Sequence, residues 1–252
     1  MAAISLSRVE EAAPALVSLY KSAGTSLVEH GLDELWAAVY LVLDHSGSMS
    51  PYDKDGSVRA LADRVLSLAA HLDDDGRVPV VFFSTDVDAV TEISLDDHQD
   101  SIRRAAAGLG RMGRTHYEAA MDAVLDHYLD CGATDPALVV FRTDGGPSSK
   151  AAAERCLCKA AGLPLFWQFI GFGNARGHQF GFLRRLDELA VPGKRSEMGV
   201  PPPGGWGSVI DNAGFFPAGR DPRRLSDARL CDRLLSEFPL WLTAARAQGI
   251  VT

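Results

Sequence analysis

The chain has 252 residues, 46% hydrophobic and 23% charged, with a net charge of −8. Such a length carries a full α/β core, and an acidic balance without a concentrated Lys/Arg face excludes general nucleic-acid binding. No apolar run reaches the ~18 residues needed to span a membrane, and residues 1–11 lack the basic and apolar stretches of a signal peptide, so a cytoplasmic location is expected.

In chain order, residues 8–30 repeat Val9, Ala12, Ala13, Leu16, Val17 and Tyr20 at three- and four-residue steps, which predicts a helix. Residues 1–35 are thus expected to form a helical extension packed on the domain that follows, residues 36–252. The apolar run 38–43 predicts a buried strand. Residues 58–72 read as a helix that Asp53 or Ser57 could cap. A buried strand follows at 78–83 and a short alternating strand, as at a sheet edge, at 90–95. Helices are predicted at 98–109 and 117–129, a strand at 137–143, a helix at 148–161 and a strand at 164–170.

The alternation continues with a helix over 178–189 and a strand over 208–213. Between them, residues 192–207 include Pro201-Pro202-Pro203-Gly204-Gly205-Trp206-Gly207 and lack any periodicity, so they read as a loop insertion. Residues 225–247 are amphipathic, and Pro239 should kink or divide that helix. Strands alternating with helices predict right-handed crossovers and a parallel sheet covered on both faces. The four cysteines show no zinc-ligand spacing and read as packing residues.

The chemistry concentrates at strand ends. Asp44-His45-Ser46-Gly47-Ser48 directly follows the first buried strand, and a D-x-S-x-S turn gathers oxygen ligands for a hard divalent cation. Thr115 follows the glycine loop Gly110-Arg111-Met112-Gly113-Arg114, and Asp144 ends the run 137–143 ahead of Gly145-Gly146. Each residue alone would serve as a turn or cap. Together, in this order and setting, Asp44, Ser46, Ser48, Thr115 and Asp144 predict a metal site beyond the carboxyl ends of the strands. Carboxylate and hydroxyl donors suit Mg²⁺ first, then Mn²⁺ or Ca²⁺, rather than Zn²⁺.

This pattern resembles the von Willebrand factor type A domain with its metal-ion-dependent adhesion site, and the likeness extends over residues 38–217. The segments VPVVFFSTDVD, MGRTHYEAAMDAV, VFRTDGGPSSK and VIDNAGFFPAGRDP are similar to the bacterial subgroup found with tellurium-resistance and stress-response proteins. The resemblance implies a three-layer, doubly wound, Rossmann-like α/β fold with one antiparallel edge strand, the segment at 90–95. It also implies that Ser46, Ser48 and Thr115 ligate directly, while Asp44 and Asp144 act directly or through water. A partner protein would supply a further acidic ligand, and no enzymatic role is implied.

Other readings have less behind them. His45 and His116 flank the proposed ligands and could serve a metal-dependent phosphoester hydrolase, but there is no second carboxylate cluster for a two-metal site. A regulatory subunit of an ATPase complex would also use the metal site for docking. Residues 171–177 space their glycines as G-x-G-x-x-x-G after a late strand, which does not fit the dinucleotide fingerprint.

Overall fold

The computed structural model describes residues 2–110, 112–187 and 210–252. Its centre is a six-stranded sheet in the order β3-β2-β1-β4-β5-β6. The strands are β1 (Ala38–Asp44), β2 (Arg77–Phe83), β3 (Val87–Ser94), β4 (Ala137–Thr143), β5 (Leu165–Phe172) and β6 (Ala213–Gly219). All neighbours pair in parallel except β2 with β3, which run antiparallel at one edge. The α/β architecture expected from the alternation is therefore present, with the 90–95 segment as the antiparallel edge.

Side chains of alternate strand residues enter two separate cores, as a period of two requires. Val39, Leu41, Leu43, Leu138 and Val140 point to one face, where they meet α2 (Val17–Glu29), α4 (Ser57–Leu72), α9 (Asp227–Leu235) and α10 (Phe238–Ala247). Tyr40, Val42, Val139, Phe141 and Trp167 point to the other, against α6 (Tyr117–Asp130), α7 (Lys150–Ala160) and α8 (Gly181–Leu186). Buried on both faces, the central strands read as continuous apolar runs.

Several boundaries differ from the sequence reading, each for a local reason. The helix expected over 8–30 is two: α1 (Leu6–Ala12) ends before Pro14, a short 3₁₀ turn follows, and α2 resumes at Val17. Likewise, 225–247 divides into α9 and α10, with Pro239 in the first turn of α10, where its missing N–H costs nothing. The helix at 98–109 contracts to α5 (Ser101–Ala107).

Neither Asp53 nor Ser57 caps α4. Gly56 holds the N-cap position with φ of 84°, and the Asp55 carboxylate accepts from the Ser57 amide at 2.8 Å. Asp53 instead lies in α3 (Ser50–Lys54), a short helix the sequence did not suggest. The last strand begins at Ala213, five residues later than expected, and includes Gly214 and Pro217. Proline is tolerated there because β6 is the far edge of the sheet. The loop expected at 192–207, the end of the helix expected at 178–189 and the start of the strand expected at 208–213 lie outside the described residues. All four thiols are free, and Cys131 is exposed rather than packed.

Candidate metal centre

The reversal of strand order falls between β1 and β4, where a doubly wound sheet opens a crevice at its carboxyl end. Leu43 of β1 is in register with Arg142 of β4, so the two strands end side by side and deliver Asp44 and Asp144 to that crevice. Asp44 is fully buried. One of its carboxylate oxygens accepts from the Ser46 amide at 2.8 Å, and the other from Thr143 Oγ1 at 2.6 Å. The first bond folds the turn back on itself, and the second joins the ends of β1 and β4.

From this anchor the oxygen atoms run outward. Ser46 Oγ lies 3.3 Å from Ser48 Oγ, and Ser48 Oγ donates to the Asp144 carboxylate at 2.9 Å. Four of the five expected residues are therefore joined by a continuous set of hydrogen bonds. Thr115 is carried beside them by its loop. Gly113 bridges to Ser46, the Gly47 amide donates to the Gly113 carbonyl at 3.4 Å, and the His116 amide donates to the Ser84 carbonyl at 2.9 Å. The Thr115 backbone is clamped on its other side by Ser148, which accepts from its amide at 3.2 Å and donates to its carbonyl at 2.7 Å. Among the described hydrogen bonds, none uses Thr115 Oγ1.

Gly113 shows why glycine precedes Thr115. A Cβ there would stand 2.9 Å from both Ser84 Oγ and the Thr85 amide, closer than real side chains approach. The close passage of this loop over the β2 end depends on that missing carbon.

Electrostatics suit a cation. Burial pushes the Asp44 carboxyl above the usual carboxylate range, against the opposing pull of its bonds from Ser46 and Thr143. Burial does the same to Asp144, and the Asp44 charge adds to it. Two desolvated carboxylates, with the Asp44 charge raising the proton affinity of Asp144, make an arrangement in which a divalent ion would relieve both costs. Among the described residues no three His, Cys, Asp or Glu side chains converge as ligands, so any ion here would be held largely by hydroxyls. That donor chemistry fits Mg²⁺ or Mn²⁺ and does not fit Zn²⁺.

A group the sequence reading passed over lies beneath. Arg142 is fully buried in β4. Its guanidinium donates to the Asp44 carbonyl, pairs with Asp53 at 3.3 Å and stacks 5.5 Å over the Phe172 ring. Burial draws its proton affinity down, and the charges of Asp53 and Asp44 counter that. The available signal was an arginine inside the otherwise apolar strand run ALVVF-R-T.

His45 and His116 each face a carboxylate that is not among the proposed ligands. His45 Nδ1 faces Asp53 at 3.4 Å and His116 Nδ1 faces Glu118 at 4.0 Å. Asp86 is absorbed in its own turn, accepting from the Val87 amide at 2.9 Å. Next to Ser48 and Asp144 an open cavity of about 460 Å³ continues past Tyr52 and Asn174 to Arg220.

Comparison with known proteins adds the following. The family model described as "vWA found in TerF C terminus" matches residues 36–251. The chain is 33% identical over 235 residues to Uncharacterized protein YcbR of Bacillus subtilis (strain 168), a match covering 92% of this chain and 88% of that protein. Among solved structures it is similar to manganese-loaded Plasmodium vivax TRAP protein, with 20% identity over 79% of this chain and 73% of that one, at a TM-score of 0.48. It is also similar to a von Willebrand factor type A from Catenulispora acidiphila, with 15% identity over 82% of this chain and 43% of that one, again at a TM-score of 0.48. Among the described residues, no helix is long and apolar enough to cross a membrane.

Proposed function

Because this chain belongs to the von Willebrand factor type A family, in the group typified by the domain at the TerF C terminus, we propose that it is a metal-dependent protein-docking module. Asp44, Ser46, Ser48, Thr115 and Asp144 hold a divalent cation, Mg²⁺ ahead of Mn²⁺ or Ca²⁺, and a partner protein supplies a carboxylate to it. The role we assign is that of an adaptor in a bacterial stress-response or tellurium-resistance-type system in the cytoplasm. The observation that supports this most is the run from Asp44 through the two serine hydroxyls to Asp144, with both carboxyls pushed upward at the open end of the sheet.

The division of labour follows from burial. Asp44, bonded to Ser46 and Thr143, fixes the turn and contributes charge from below. Ser48, exposed, and Asp144, half-buried, line the open cavity, where a partner's side chain can approach. A small number of first-contact charges leaves a bound cation able to attract an acidic group from outside.

Two measurements test this together. Titration of Mg²⁺ into the protein by calorimetry should show one saturable site that Asp144→Asn abolishes. Capture of partners by tagged protein in Mg²⁺ and in EDTA should give a protein retained only with Mg²⁺ and only by the unsubstituted chain. Mg²⁺ binding that Asp144→Asn leaves unchanged would overturn the site, and an identical captured set in Mg²⁺ and EDTA would overturn the docking role.

A further inference from the structure

A second cavity, of about 250 Å³, lies between α4 and α5. Of the five residues assigned to the cation only Asp44 lines it, and it shares no lining residue with the open cavity at the rim. Val58, Phe82 and Ile102 form its buried apolar walls. Asp44, Asp53 and Arg142 line it from the buried side, while Lys54, Arg59 and Arg103 line it from exposed positions.

Charge decides what fits. The inner end holds two carboxylates against one guanidinium, so an added anion there meets a net negative surrounding. The rim holds three cations and, within reach of them, two carboxylates: Asp63 at 3.6 Å from Arg59 and Asp100 at 2.8 Å from Arg103. Among the described ion pairs, none involves Lys54. An anion is therefore favoured at the mouth and an uncharged chain within. Size agrees, since an apolar cavity of about 150 Å³ holds one benzene ring.

We propose that this cavity binds a small amphipathic carboxylate, with an alkyl or aryl body of roughly six to ten carbons against Val58, Phe82 and Ile102. Its carboxylate sits at the rim with Lys54, Arg59 and Arg103. The site shares Asp44 with the proposed metal centre but does not require a bound cation.

Calorimetry on the full chain in EDTA tests it with three probes of one length: octanoate, octan-1-ol and octylamine. Octanoate should bind saturably, the alcohol at least tenfold more weakly and the amine not measurably. Ala106→Trp, at an exposed helix position lining the cavity, should fill it and abolish octanoate binding. Arg59→Glu with Arg103→Glu should weaken octanoate at least tenfold and admit octylamine. Absence of saturable octanoate binding overturns the proposal, as does equal binding of octanoate and octanol, or octanoate affinity unchanged by Ala106→Trp.

Discussion

Arg142→Met isolates the buried guanidinium under the candidate centre. Methionine keeps an unbranched chain in the strand and a sulfur near the Phe172 ring, so the stacking loss is small. Two larger effects remain. The Asp44 carbonyl loses its donor, and a buried acceptor left without one costs about 1–3 kcal/mol. Asp53 loses its cation. Removing one partner of a fully buried pair costs about 3–5 kcal/mol, but the Asp53 side chain is 23% exposed and His45 stands 3.4 Å away, so we take the low end. Taken at their low ends, the two effects give a net loss near ~4 kcal/mol, which corresponds to a melting temperature lower by roughly 8–16 °C in a domain of this size. Urea denaturation followed by far-UV circular dichroism measures it. The companion variant Arg142→Met with Asp53→Ala removes both charges and should recover part of the loss, giving a coupling of at least ~1 kcal/mol. An Arg142→Met protein within ~0.5 kcal/mol of the original, or strictly additive single variants, would refute the pairing as a structural element.

Three further outcomes follow from the same geometry. Mg²⁺ at a hundredfold excess over its dissociation constant should add ~2.7 kcal/mol, roughly 5–11 °C in melting temperature, and Ser48→Ala or Asp144→Asn should remove that gain; an equal gain in all three proteins would count against the site. Gly113→Ala forces a Cβ against Ser84 and Thr85, so it should cost ~1–3 kcal/mol in urea denaturation and weaken Mg²⁺ binding measured by calorimetry; an unchanged protein would refute the close passage. The pH dependence of stability should report Glu237, whose carboxyl is pushed from 4.5 up to about 7 by burial and by the charges of Asp187 and Asp211. Asp211 itself rises from 3.8 to about 6, mainly through burial. The folded state then holds protons that the unfolded chain releases, so these groups make stability fall as pH rises from about 4 to about 7. Urea midpoints at about pH 5 and pH 7.5 should show a smaller decline in Glu237→Gln, and an identical decline would overturn the assignment.

The strands of this fold were the most legible part of the chain because burial on both faces writes them as unbroken apolar runs, as in 38–43 and 137–141. The exceptions have physical causes. β6 carries Gly214 and Pro217, which argue against a strand in the middle of a sheet but not at its edge. Nothing local in residues 208–219 reveals which strand will be outermost. Pro14 and Pro239 were visible, but a proline signals only a break; whether it ends one helix or starts the next depends on the packing that follows.

At the candidate centre the same distinction holds between local pattern and pairing. Strand alternation alone places Asp44 with Tyr40 and Val42 on one face, Thr143 with Val139 and Phe141, and Arg142 opposite with Leu138 and Val140. What alternation does not contain is the register that sets Leu43 beside Arg142, and hence Asp44 beside Thr143. Once that register is known, the roles separate. The Asp44 carboxylate is held by Ser46 and Thr143, while its carbonyl is held by Arg142 from the other face. Arg142 in turn is fixed by Asp53 on a helix of five residues with no strong periodicity of its own. The juxtaposition of Asp44, Ser46, Ser48 and Asp144 was readable because each stands at or just after a strand end. Their support was not, because Asp53 and Arg142 lie 89 positions apart and meet only through the fold. The short helix bearing Asp53 is therefore best understood as the clasp that lets the Arg142 guanidinium be buried beneath the ends of β1 and β4.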